Sequence, residues 1–144
     1  MADVKVSAVI PAPRERVAEW LTDLQHLRAV IPTTCIEEWE MGSATQGLGA
    51  SAAVVYNIHA MHRRLTMAIS RVDPGTLIDF DHAGAKGFVN RWTFEDAEGG
   101  TKVTVLTPLN PPPWPFQGVY FRYIKPDWEE CYRRAIDGVA ASVK

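Results

Sequence analysis

Residues 76–109, TLIDFDHAGAKGFVNRWTFEDAEGGTKVTVLTPL, hold three apolar runs separated by glycine-rich breaks. Within each run apolar and polar residues alternate, the period of a strand with one face buried. Gly84 to Lys86 and Glu98-Gly99-Gly100 are turn signals, and connections this short join antiparallel neighbours. A turn near Gly84 sets Phe80 opposite Asn90, Ile78 opposite Trp92 and His82 opposite Phe88. A turn at Gly99-Gly100 sets Trp92 opposite Val105, Phe94 opposite Val103 and Asn90 opposite Thr107. One face is then almost wholly apolar. The other collects Asp79 with Arg91, Thr93 with Thr104 and Glu95 with Lys102, which suit a solvated surface. A slip of one residue would turn each set over, so the agreement between hairpins tests the register.

Working outward, the same logic predicts strands at 35–41, 50–59 and 62–72 beside those at 76–82, 87–95 and 101–109. Asp73-Pro74-Gly75 turns the hairpin that sets Ile69 opposite Phe80 and Met67 opposite His82. The hairpin before it is placed at Ala60-Met61, a weak turn sequence. It sets Tyr56 opposite Leu65, Val54 opposite Met67 and Ala52 opposite Ile69. Residues 4–10, VKVSAVI, alternate as a further strand. Pro11 and Pro13 stop it, and Pro13 suits a helix start. Residues 13–23 read as a short helix with Val17, Trp20 and Leu21 on one side. Leu24 to Ile31 reads as a second that ends before Pro32. After the proline-rich 111–115, residues 116–143 read as a long amphipathic helix with Trp128, Tyr132, Ala135, Val139 and Val143 in a stripe. Pro126 kinks it or starts its second half.

A sheet with one apolar face and a long amphipathic helix must bury one another. The expected architecture is α+β: a curved seven-stranded antiparallel sheet wrapped around a long C-terminal helix, with two short helices after strand 1. The 144 residues form a single domain, 1–144, of ordinary size. With 47% hydrophobic and 22% charged residues the chain can build a core, and a net charge of −2 argues against nucleic acid as partner. No apolar run reaches the roughly 20 residues of a membrane span. MADVKVSAVI lacks the pattern of an export signal, so a cytoplasmic protein is expected. Cys35 and Cys131 are accordingly expected as buried thiols rather than a disulfide.

The order of elements resembles the START/Bet v 1-like superfamily (SRPBCC), of the polyketide cyclase/dehydrase and lipid transport type. The likeness is carried by AVIPAPRERVAEWLTDLQHLRAVIP at 8–32, by FVNRWTFED at 88–96 followed by GGTKVTVLTP at 99–108, and by the C-terminal helix. It covers essentially the whole chain. It implies a helix-grip fold with an internal cavity between sheet and helix for lipids, polyketides or other apolar molecules. It transfers no catalytic motif.

The register places His82, Asn90 and Thr107 on the apolar face together with Tyr56, Met67, Phe80, Phe88 and Trp92. Tyr120 and Tyr123 approach from the helix. Apolar walls with a few polar groups are what a small-molecule site needs. His82 is the best candidate for chemistry, because imidazole exchanges a proton near neutral pH. Its plainer role is a hydrogen-bonded strand end. Asn90 and Thr107 either satisfy each other or anchor a ligand. His59 and His62 face each other on the outer side with no third ligand, so no metal is expected, and no cofactor motif is present. Arg63 and Arg71 fall on the apolar side at strand ends. They lie along the cavity rim or meet a ligand carboxylate. Trp114 with its prolines is a stiff connector or a surface for a protein partner of unknown kind. The leading expectation is binding of an apolar small molecule. A polyketide cyclase, aromatase or dehydratase, and a protein-interaction module, are the alternatives.

Overall fold

The computed structural model describes residues 3–58, 61–85, 87–109 and 115–143. Strand β1 (Val4–Ile10) is followed by helices α1 (Arg14–Trp20) and α2 (Leu24–Val30). Strands β2 (Ile36–Met41), β3 (Ser51–Ile58), β4 (Met61–Asp73), β5 (Leu77–Ala83), β6 (Val89–Ala97) and β7 (Gly100–Thr107) follow. The chain closes with α3 (Gln117–Val119), a π-helical turn (Tyr120–Ile124) and α4 (Lys125–Ser142). The strands form one antiparallel sheet in the order β1-β7-β6-β5-β4-β3-β2. This is the expected α+β helix-grip fold: a half-barrel of seven strands around a C-terminal helix, with α1 and α2 connecting its two edges.

Local chemistry explains the element ends. Pro13 has φ −62° and precedes the first turn of α1, where its missing N–H costs nothing. The Asp23 carboxylate accepts from the Gln25 N–H at 2.9 Å and caps α2. Ile31 leaves the helix in an extended conformation, as the residue before a proline must. Gly100 has φ +146°, and a Cβ there would collide with the Ile10 carbonyl oxygen. Beside it the Thr101 hydroxyl donates to the Ala12 carbonyl at 2.7 Å. Together they let β7 start against the end of β1.

The later hairpins have the register read from the sequence. Ile69 pairs with Phe80, Met67 with His82, Ile78 with Trp92, Trp92 with Val105 and Phe94 with Val103. On the outer face the Arg91 guanidinium donates twice to the Asp79 carboxylate, at 2.8 and 2.9 Å. The first hairpin differs. Ile58 pairs with Met61, so the connection is 59–60 rather than Ala60-Met61. Val54 therefore meets Leu65, Ala52 meets Met67 and Tyr56 meets Arg63. The shift is by two residues. With a side-chain period of two, every residue keeps its face while its partner changes. A bulge between Ile69 and Arg71 makes a second difference. The extra residue reverses the alternation, so Arg71 pairs with Asp79 of the outer face and binds Asp73 at 2.7 Å. Val72 takes the inner position that Arg71 was expected to hold.

The predicted helix 116–143 is divided. Pro126 has no N–H and its ring crowds the carbonyl four residues back. Just ahead of it the Lys125 N–H reaches the Tyr120 carbonyl, a five-residue step that widens the helix to a π turn before α4 begins. α4 then packs on β1 and α2. At Gly138 a Cβ would stand 2.9 Å from the Val30 Cβ, so this glycine sets the close approach of α4 to α2. Trp92, Phe80, Met67, Ile69 and Ile78 from the sheet and Ile136 from α4 are fully buried between the layers.

Cys35 and Cys131 form a disulfide, contrary to the expectation of thiols, with Cα atoms 6.1 Å apart and a sequence separation of 96. A reducing compartment favours thiols. The fold decides otherwise by bringing the entry to β2 against the buried side of α4. Closing so long a loop restricts the unfolded chain. Replacing both cysteines by serine is expected to lower stability by about 2–4 kcal/mol. Urea unfolding with and without a dithiol reductant measures this, and a midpoint unmoved by either treatment would contradict it.

Candidate functional site

Tyr56, His82, Asn90 and Thr107 on the inner face of the sheet, and Tyr132 on α4, are polar side chains that water scarcely reaches. Buried polar groups need partners, and these find one another. The Tyr56 hydroxyl lies 2.6 Å from His82 Nε2. His82 Nδ1 lies 3.0 Å from the Phe88 carbonyl oxygen, which can only accept. The proton is thus assigned to Nδ1, and Nε2 accepts from Tyr56. Asn90 Nδ2 donates weakly to the Tyr56 oxygen at 3.5 Å. Asn90 Oδ1 accepts from the Tyr132 hydroxyl at 2.8 Å and from the Thr107 hydroxyl at 2.7 Å. The Thr107 hydroxyl also stands 2.9 Å from the Tyr132 oxygen.

The group is uncharged at neutral pH. Burial pushes the His82 imidazole down from 6.5 to about 4, against the opposing pull of its bond to Phe88 and of the nearby Asp81. Burial raises the Tyr56 hydroxyl, helped by Tyr132 and opposed by the Asn90 bond. It raises Tyr132 as well, against the bond to Thr107.

Beside this network a cleft of about 680 Å³ opens at one end of the sheet. Its walls come from the β3–β4 hairpin, the β5–β6 turn, the chain just after β7, and the π turn with the start of α4. Ile58, Leu65, Leu109 and Ile124 make apolar wall. An aromatic cluster closes the inner side: the Tyr56 ring lies 5.3 Å from Trp128 and 5.7 Å from Phe88, centroid to centroid. His82 stacks behind Phe88 at 4.4 Å. Tyr56 therefore belongs both to the cleft and to the network.

The sequence-predicted residues separate into groups. Tyr56, Phe88 and Tyr120 line the cleft. His82, Asn90 and Thr107 lie behind it in the network. Met67, Phe80 and Trp92 are packed in the core away from it. Tyr123 is exposed under the Arg122 guanidinium. Arg63 lines the cleft, whereas Arg71 is on the outer face. His62 binds Glu37 at 2.7 Å, and His59 and Trp114 lie outside the described residues. Among the described residues no group of three potential metal ligands comes together. Also among them, no helix is long and apolar enough to cross a membrane. Sequence reasoning missed Tyr132 and Trp128 as site residues, because both fall in the apolar stripe of the helix. The signal for Tyr132 was its hydroxyl, which a buried tyrosine must satisfy.

A family model described as polyketide cyclase / dehydrase and lipid transport matches residues 1–144. The chain belongs to that family. That match, together with the helix-grip fold, supports the START/Bet v 1-like superfamily. No curated protein matches it. Among solved structures it is similar to TTHA0849 from Thermus thermophilus, at 21% identity and a TM-score of 0.76, over 98% of this chain and 96% of that one. It is similar to the KanY protein at 16% identity and a TM-score of 0.82, over 98% and 96%. It is also similar to major latex-like protein 151 from Panax ginseng, at 13% identity and a TM-score of 0.67, over 99% and 97%. At these identities the likeness shows a shared fold.

The network makes a pH prediction. The unfolded chain protonates His82 near 6.5 and the folded chain only near 4. Stability from this residue is therefore complete above about pH 6.5 and is lost as pH falls toward 4, by about 3 kcal/mol in all. Urea unfolding across that window should show a slope in the parent that His82→Gln flattens. Parallel profiles for the two proteins would contradict the assignment.

Proposed function

We propose that this chain binds an apolar small molecule, lipid-like or polyketide-like, between the sheet and the C-terminal helix. The observation that carries the reading is the roughly 680 Å³ cleft with apolar walls and an aromatic inner side. Its size falls in the range of small-molecule sites, and burial of apolar surface supplies affinity without demanding special chemistry. The ligand would lie against Ile58, Leu65, Ile124 and Trp128, with the Tyr56 ring at its inner end. A cytoplasmic location is part of the same proposal. It asks the Cys35–Cys131 disulfide to persist among reduced thiols, for which the burial of both residues is favourable.

The neutral fluorophore N-phenylnaphthylamine tests the reading. Saturable enhancement at one site per chain is expected, and Ala85→Trp, which adds bulk to the cleft wall, should weaken it by about tenfold or more. Enhancement that never saturates, or that ignores the filled wall, would remove the cleft as the site.

A second reading, catalysis by a cyclase, aromatase or dehydratase in the same cleft, is supported by the pairing of Tyr56 with neutral His82. A cleft-lining phenol bonded to an imidazole acceptor offers a route for a proton during ring closure or loss of water. Tyr56→Phe keeps the ring and removes that route. In this reading the variant retains fluorophore binding and no longer cyclises a poly-β-ketone thioester. Parental turnover by the variant would exclude the pair from the chemistry.

A further inference from the structure

We propose that the ligand of the cleft ends in a carboxylate and that Arg63 receives it. The inference rests on the binding reading above and specifies the ligand class: amphipathic monocarboxylic acids with an apolar body.

Arg63 stands opposite Tyr56 in the β3–β4 ladder and on the same inner face, so its side chain borders the cleft. The two-residue displacement of that hairpin leaves Arg63 on its expected face and makes Tyr56 its partner. Its Nη2 donates to the Gly84 carbonyl at 2.8 Å, which spans from β4 to the β5–β6 turn and orients the guanidinium at the mouth. A guanidinium has five N–H donors, and one carbonyl leaves most of them for a ligand.

Arg63 differs in its partners from five other arginines of the chain. Arg14, Arg71, Arg91, Arg133 and Arg134 each hold a carboxylate of this chain. Arg63 holds only a carbonyl among the described residues. No aspartate or glutamate is among the described residues that line the cleft. His62, the other basic residue there, is already engaged by Glu37. A chain with net charge −2 thus keeps, among its described residues, a cation without a carboxylate partner at the edge of an apolar cleft. A planar fork of donors matches a carboxylate in two parallel hydrogen bonds. Next to apolar walls, where water is partly excluded, the attraction is stronger than on an open surface. An acid with its hydrocarbon or aromatic body against Trp128 and Ile124 and its carboxylate at Arg63 would satisfy both demands.

Fluorescent cis-parinaric acid, its methyl ester and neutral N-phenylnaphthylamine test this on the purified full chain. The parent should bind the acid about tenfold more tightly than the ester. Arg63→Gln should abolish that preference by weakening the acid alone, leaving the ester and the neutral fluorophore within about twofold. Arg63→Lys, which keeps the charge and loses the fork, should fall between. Equal affinity of the parent for acid and ester, or an acid affinity unmoved in Arg63→Gln while the neutral fluorophore still binds, would overturn the carboxylate assignment and leave the cleft reading standing. Saturable binding of none of the probes would overturn both.

Discussion

A phenol, an amide and a hydroxyl meet where α4 lies across the sheet: Tyr132, Asn90 and Thr107, all buried and all within hydrogen-bond distance of one another. Apolar contact alone leaves a helix free to slide or rotate on a curved sheet, because dispersion and the hydrophobic effect have little directional preference. A buried hydroxyl is different. Moving Tyr132 by one helical position would leave its hydroxyl unpaired and take from Asn90 Oδ1 one of its two donors, at a cost comparable to a whole hydrogen bond. The triad therefore selects one seat for α4 among the many that would bury similar area. The fully buried Ile136 and Val139 then fill the layer behind it.

The cleft follows from that seat. With α4 held at Tyr132, its first turn brings Trp128 against Tyr56 and Phe88 and closes the sheet's interior on that side. The helix cannot continue regularly toward its N-terminus, because Pro126 interrupts the ladder and the chain widens into the π turn. Tyr120 and Ile124 on that turn, rather than a continuous helix, form the outer wall. The interior that could have been one large cavity is thus divided. The inner part is filled by the aromatic and polar network, and the outer part remains open. The disulfide at Cys131 ties the same stretch of helix to the entry of β2, so the wall is held from both faces of α4.

Polar residues on the inner face have two fates in this arrangement. Asn90 and Thr107 are consumed in seating the helix. His82 is kept neutral by burial and serves as an acceptor for Tyr56. Among the described residues only Tyr56 and Arg63, paired across β3 and β4, border the cleft from the sheet with polar atoms in their side chains and no ion-pair partner. The polar edge of the cleft thus depends on the pairing of β3 with β4.

The period-two alternation of residues 76–109, together with glycine turns at Gly84 and Gly99-Gly100, was enough to determine the sheet, its faces and most of its register. Short-range chemistry does this: a turn type and a side-chain period are local properties. The helices were legible for the same reason, from Pro13, Pro32 and the stripe from Trp128 to Val143. The tertiary structure alone decided the partners of Tyr56, the reversal of Arg71 at its bulge and the Cys35–Cys131 bond. It alone showed that Tyr132 belongs with Asn90 and Thr107, and that Met67, Phe80 and Trp92 are core rather than cleft. Each of these depends on which distant segments share a volume. Pairing across 96 residues, or between a sheet face and a helix face, leaves no periodic mark in the chain, because many seats of the helix bury similar apolar area and only the satisfied polar groups distinguish them.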